Sequence, residues 1–198
     1  KKLDNDCWNP DRMLATLMHN HDKVEQDWVE TSVPKLVDEI MNSYRKFGGM
    51  DHLEGRDLPS KMVVIDVLED LFTVLFPGYL GDSEITKANI KYQLGTTLTS
   101  VYTRLTDEVE RSLKYICRKI SECPQDVCQK RSHVVVKELL EKLPEIRSRL
   151  SGDIQAAYSG DPAAVSNEEV ILSYPCVLAI TTYRIAHELY LSGVPLIP

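Results

Sequence analysis

Few side chains in this sequence have the type and spacing to do chemistry, and the clearest is one carboxylate. Asp161 stands between Gly160 and Pro162. A residue before proline is driven out of the helical region, so Gly160-Asp161-Pro162 reads as a turn that holds the carboxylate on a stiff backbone. Such a group can pair with the ammonium of an amino acid. It can also cap its own turn, as aspartates commonly do. A second grouping is Cys117, Cys123, Cys128 and His133. Structural zinc sites favour cysteine pairs two to four residues apart, and here five and four residues intervene. Cys117 also falls in register on an apolar helical face, where a thiol acts as a small hydrophobe. No metal site is expected. His19 and His21 are two residues apart, cannot share a helical face, and read as a frayed helix end. The sequence places no nucleophile near His187. Arg184 and Glu188, four apart, are expected to pair along one helix.

The elements around these residues are punctuated as helices. Ser166-Asn167-Glu168-Glu169 reads as a capping box, with Ser166 accepting from the first turn and Glu169 reaching back to the Ser166 N–H. Pro175 suits the first turn of another helix. Leu178, Ile185, Ala186 and Leu189 keep helical spacing until Gly193 and Pro195 stop the run. Upstream, Asn9-Pro10-Asp11 opens a helix that His19–Asp22 closes, and Val24–Val29 forms a short one. Thr31-Ser32-Val33-Pro34 starts another, ended by Gly48-Gly49. Pro59 leads a strongly apolar helix to Phe76. From Ser83 to Glu122 the residues Ile90, Leu94, Leu98, Val101, Leu105, Val109, Leu113, Ile116 and Ile120 form one seam of about five heptads. This helix is expected to be the longest and to favour oligomerisation. Cys123-Pro124 breaks it, Val127–Leu143 is a further helix, and Pro144 opens the next. The expected fold is all-α, a multi-helix bundle of about eight helices with one long central helix.

Composition narrows the function. Hydrophobic residues are 43% and charged residues 27% of the 198, which is ordinary for a soluble globular protein. Thirty acidic against 23 basic side chains give a net charge of −7. That balance lacks the cationic surplus that drives binding to nucleic acid. The most apolar run, Met62–Phe76, is interrupted by Asp66, Glu69 and Asp70, so no membrane span is expected. Five cysteines without framework spacing suit free thiols in a reducing cytoplasm.

A resemblance carries the reading further. Asp161-Pro162-Ala163-Ala164, Glu169-Val170-Ile171-Leu172, Tyr174-Pro175, Ala179-Ile180, Tyr183-Arg184-Ile185-Ala186-His187, Leu189-Tyr190 and Gly193-Val194-Pro195-Leu196-Ile197-Pro198 follow one another in fixed order. These words resemble the serine acetyltransferases, with Cys176 standing where that family usually has glycine. The resemblance implies a parent enzyme that moves acetyl from acetyl-CoA to L-serine in cysteine biosynthesis. It implies that Asp161 binds serine, and that the catalytic residues and the acetyl-CoA groove belong to a left-handed β-helix of six-residue repeats absent from this chain. The chain is then an amino-terminal helical region, with an extension over 1–152 and the family segment over 153–198. It is expected to be inactive alone, with no cofactor of its own, cytoplasmic and homo-oligomeric. O-acetylserine sulfhydrylase is an implied partner, through a carboxyl tail also absent here. Two other readings stand beside this one: a non-catalytic helical module for assembly or regulation, and an unrelated metal-binding helical protein resting on the Cys/His grouping.

Overall fold

Proline and apolar periodicity together decide where the helices run. In a computed structural model, residues 10–52, 58–81, 85–120 and 125–198 are described, with 10–26, 119, 120 and 125 as backbone only. They form six helices: α1 (Pro10–Lys46), α2 (Lys61–Leu75), α3 (Ile90–Ile120), α4 (Gln125–Gly160), α5 (Asn167–Ser173) and α6 (Pro175–Leu191). No strand occurs among the described residues, so the fold is all-α.

Two of the expected helix breaks are absent. The three expected amino-terminal helices are one 37-residue helix that runs through His19, His21 and Pro34. The two expected helices on either side of Pro144 are one 36-residue helix. Proline removes one hydrogen bond and bends a helix, but it need not end one when it sits on the outer side. Both prolines are exposed. The seam helix α3, at 31 residues, is therefore not the longest. Its start falls later than Ser83. Thr86 and Asn89 cap each other's backbone N–H groups at 2.8 and 3.3 Å, and the Ile90 N–H already donates to the Thr86 carbonyl. Asn9, Ser83, Glu122 and the Cys123-Pro124 break lie outside the described residues.

The chain divides into two compact units, Lys1–Gly55 and Arg56–Pro198. In the first, α1 is the one helix among the described residues. In the second, α3 packs against α2 and α4, and α4 also carries α5 and α6. Val101, Leu105 and Val109 of α3 meet a core that includes Val135, Leu139, Leu143, Ile146 and Leu150 of α4. From α2, Val67, Leu71 and Leu75 enter the same core, and α6 adds Val177, Ile185 and Leu189.

A buried acid locks α2 onto α3. Ser60 caps α2, its hydroxyl accepting from the Val63 N–H. The Ser60 N–H in turn donates to Glu108 Oε2 at 2.6 Å, and Arg111 lies 3.3 Å from the other carboxylate oxygen. Glu108 is only 3% exposed. Removing it would strand a backbone donor, which costs about 1–3 kcal/mol. Glu108→Ala is expected to lower unfolding free energy by that amount in denaturant titration, with Glu108→Gln, which keeps an acceptor, losing less. Equal losses in the two variants would show that the carboxylate charge, not the cap, is what matters.

Candidate functional site

The Asp161 carboxylate is built from the end of one helix and the junction of two others. Pro162 keeps Asp161 out of the helical region, and α4 ends at Gly160 as that requires. The Asp161 N–H still donates to the Ala157 carbonyl, while its own carbonyl accepts from Ala164. Its Oδ1 accepts from the Ala163 N–H at 2.9 Å, a local turn of the kind aspartate favours. Its Oδ2 accepts from the Tyr174 hydroxyl at 2.5 Å.

Tyr174 reaches that position because it is shared by two helices. It ends α5, donating its N–H to the Val170 carbonyl, and it begins α6, accepting from the Val177 N–H. Pro175 fills the first helical position of α6, as its spacing predicts. The capping box forms with one difference. The Glu169 N–H donates to Ser166 Oγ at 3.2 Å, but the Glu169 carboxylate reaches past Ser166 to the Val165 N–H at 2.7 Å. Cys176 is exposed on the first turn of α6, so a side chain larger than glycine meets no crowding there.

Further anchors fix the frame. Arg184 makes a two-pronged pair with Asp153 of α4, at 2.7 and 2.8 Å, in place of the expected pair with Glu188. Glu188 instead pairs with Lys142 of α4. The expectation failed because it considered one helix, whereas the stronger partners lie across the α4–α6 interface. Neither partner of Asp161 or of Arg184 was evident from spacing. For Tyr174 a signal existed, since the Tyr-Pro junction could be located although its hydroxyl partner could not.

The other candidates are dispersed. His187 stacks on Tyr183, ring centroids 5.6 Å apart. His133 meets the Tyr102 hydroxyl through Nδ1 at 2.9 Å. The sulfurs of Cys117 and Cys128 are 3.4 Å apart. Cys123 and the side chains of His19 and His21 lie outside the described residues. Among the described residues, no group of three or more His, Cys, Asp or Glu side chains could hold a metal, and no helix is long and apolar enough to cross a membrane.

The electrostatics keep Asp161 charged. The Tyr174 hydroxyl first, and the Ala163 N–H second, hold its carboxyl below the ordinary aspartate value. Tyr174 is the mirror case: the Asp161 carboxylate, with a smaller effect of burial, pushes it up to about 12. The two have opposite signs in stability. The Asp161 contribution is complete above the ordinary aspartate range and is lost as pH falls through the folded value. The Tyr174 contribution is complete below its ordinary value near 10 and is lost as pH climbs through about 12. A carboxylate offers about four acceptor positions, and two are used here. The remainder can receive an ammonium or a hydroxyl. Tyr174→Phe is expected to raise the Asp161 midpoint, read from its carboxyl carbon by NMR, and to remove a tyrosinate transition near pH 12. An unmoved midpoint would leave the Ala163 N–H as the sole cause.

Comparisons with known proteins follow the same lines. No protein-family model matches the chain. A plasmid-borne serine acetyltransferase of Synechococcus elongatus is 35% identical over 142 residues, which are 71% of this chain and 44% of that protein. The crystal structure of Entamoeba histolytica serine acetyltransferase 1 in complex with L-cysteine aligns with a TM-score of 0.51 and 32% identity, over 65% of this chain and 42% of that one. The native form of the same enzyme aligns with a TM-score of 0.52 and 30% identity, over 77% and 52%. The chain thus spans about half the length, or less, of the relatives it matches. With the Asp-Pro-Ala turn and the helices that frame it, this likeness places the chain in the serine acetyltransferase family, as a helical region of it.

Proposed function

We propose that this chain is the amino-terminal helical region of a serine O-acetyltransferase, and that it contributes Asp161 to the serine site. The parent reaction joins the serine hydroxyl to the acetyl carbonyl of acetyl-CoA and releases the CoA thiol. It needs a general base, a positioned thioester and donors for the developing oxyanion together. The described residues offer one suitable group, an ionised carboxylate with acceptor positions to spare. The observation that carries the reading is this one: Tyr174 and Ala163 fix both oxygens of Asp161 and favour its charged form. A fixed anion suits the ammonium group of an amino acid and does nothing for a thioester. Acetyl-CoA is accordingly a co-substrate bound elsewhere in the parent enzyme. Assembly into homo-oligomers through the helical region, a cytoplasmic location and a complex with O-acetylserine sulfhydrylase belong to the same proposal.

In an active serine acetyltransferase carrying this region, Asp161→Asn is expected to raise KM for L-serine about tenfold or more, the loss of one charge-assisted hydrogen bond. KM for acetyl-CoA should stay within about twofold, since that substrate makes no use of the carboxylate. An unchanged response to serine would return Asp161 to a turn-forming role. The 198-residue chain alone should release no thiol from acetyl-CoA above background when serine is present, and turnover would mean that the active site has been misplaced.

A further inference from the structure

Two thiols that the proposed reaction does not use meet where α3 turns into α4. Cys117 lies in the last turn of α3 and Cys128 in the first turn of α4. They are eleven positions apart in sequence, and their sulfurs are 3.4 Å apart. Both are thiols in the structure. A disulfide is about 2.05 Å long, so the sulfurs need to approach by about 1.4 Å, a gap that rotation about the two Cα–Cβ bonds can close. Their exposures differ. Cys128 is 3% exposed, whereas Cys117 is half-buried and within reach of a small oxidant. A sulfur that can be attacked from solvent, backed by a second sulfur that solvent does not reach, is the arrangement of a redox-sensitive pair.

We infer that Cys117 and Cys128 form a reversible switch, which a hydroperoxide closes to an intrachain disulfide. The Cys117 thiolate attacks one oxygen of hydrogen peroxide, the O–O bond breaks, and the other oxygen leaves as water once protonated. Cys117 is then a sulfenic acid. The Cys128 thiolate attacks the Cys117 sulfur, the S–S bond forms as the S–O bond breaks, and the hydroxyl leaves as a second water. Two thiols lose two electrons and two protons, and one peroxide becomes two waters. A small dithiol reverses the step by exchange and is itself oxidised to a disulfide. The bond sits at the end of the α3–α4 seam where both helices hold the segment that leaves α6. Ser112, five residues before Cys117, donates to the Pro195 carbonyl. Arg131, three residues after Cys128, donates to the Ser192 carbonyl. Tying α3 to α4 here fixes the spacing of these two grips, so oxidation steadies the 192–195 segment together with the seam. The switch is independent of the serine reading of Asp161.

Peroxide titration of the 198-residue chain tests it, with intact mass and peptide mapping under non-reducing conditions. In the unsubstituted chain the linked peptides should join Cys117 to Cys128, and a link from Cys117 to Cys123 overturns the assignment. A chain carrying Cys7→Ser, Cys123→Ser and Cys176→Ser keeps only the proposed pair, and circular dichroism verifies that it keeps its helices. Hydrogen peroxide should remove both of its thiols with a loss of about 2 Da, and dithiothreitol should restore them. The thermal midpoint of the oxidised form should lie about 5–10 °C above that of the reduced form, as expected for a short closed loop in a domain of this size. Amide exchange at Gly193 and Val194 should slow at least about threefold on oxidation. Adding Cys117→Ala should leave the midpoint unmoved by peroxide. Oxidation of one thiol alone to a sulfinic acid, with a gain of about 32 Da, overturns the switch. So does a disulfide between two chains, seen as a dimer on a non-reducing gel. An intrachain disulfide that leaves the midpoint and the two amides unchanged overturns the stapling of the seam.

Discussion

The seam between α3 and α4 is the constraint on which the second unit depends. The other packed helices make their largest contacts with one of these two: α2 with α3, and α5 and α6 with α4. The seam is lined by Val101, Leu105 and Val109 on one side and Val135, Val136 and Leu139 on the other, all nearly inaccessible to water. Burying aliphatic side chains of this size is worth about 1.5–3 kcal/mol each before conformational entropy is set against it. A cavity opened at Leu105 or Leu139 would therefore loosen helices that neither residue touches in sequence.

Polar contacts add direction to that apolar adhesion. Ser112 of α3 is fully buried, and its hydroxyl donates to the Pro195 carbonyl. Arg131 of α4 donates to the Ser192 carbonyl at 3.1 Å. The end of α6 itself closes with glycine in the left-handed region: Gly193 has φ 74°, its N–H meets the Tyr190 carbonyl, and the Val194 N–H meets Leu189. Val194 and Leu189 are both buried beneath this turn, the apolar contact that accompanies such a cap. Exposed ion pairs such as Lys142–Glu188 contribute little by themselves. The Ser112 contact differs, because breaking it would leave a fully buried hydroxyl without this acceptor.

What could be read in the sequence was local, and what could not was lateral. The Ser166 cap, Pro175 at the start of α6, the turn at Asp161 and the stop at Gly193 each follow from one residue acting on its own backbone. All four are present. Pro34 and Pro144 misled because the same residue that opens a helix can also lie within one, and only its surroundings decide which. The Arg184–Asp153 pair spans 31 residues, beyond any i,i+4 rule, and it displaced the neighbour that the rule favoured. The Asp161–Tyr174 contact joins two helix ends whose approach is set by the packing of Val170 and Val177. No spacing argument contains that distance.

The length of α4 beyond Pro144 has a consequence for aim. Asp161 follows the end of a rod whose last portion, from Pro144 to Gly160, is about 24 Å long at 1.5 Å per residue. Tilting such a lever by one degree moves its tip by about 0.4 Å, close to the half-ångström tolerance that a binding group can accept. The two-pronged Arg184–Asp153 clamp grips the rod eight residues before its tip, at 2.7 and 2.8 Å. It leaves a short overhang of about 12 Å, and the same tilt there moves the carboxylate by only about 0.2 Å. A charge pair away from the Asp161 carboxylate thereby acts as a bearing that sets its pointing accuracy.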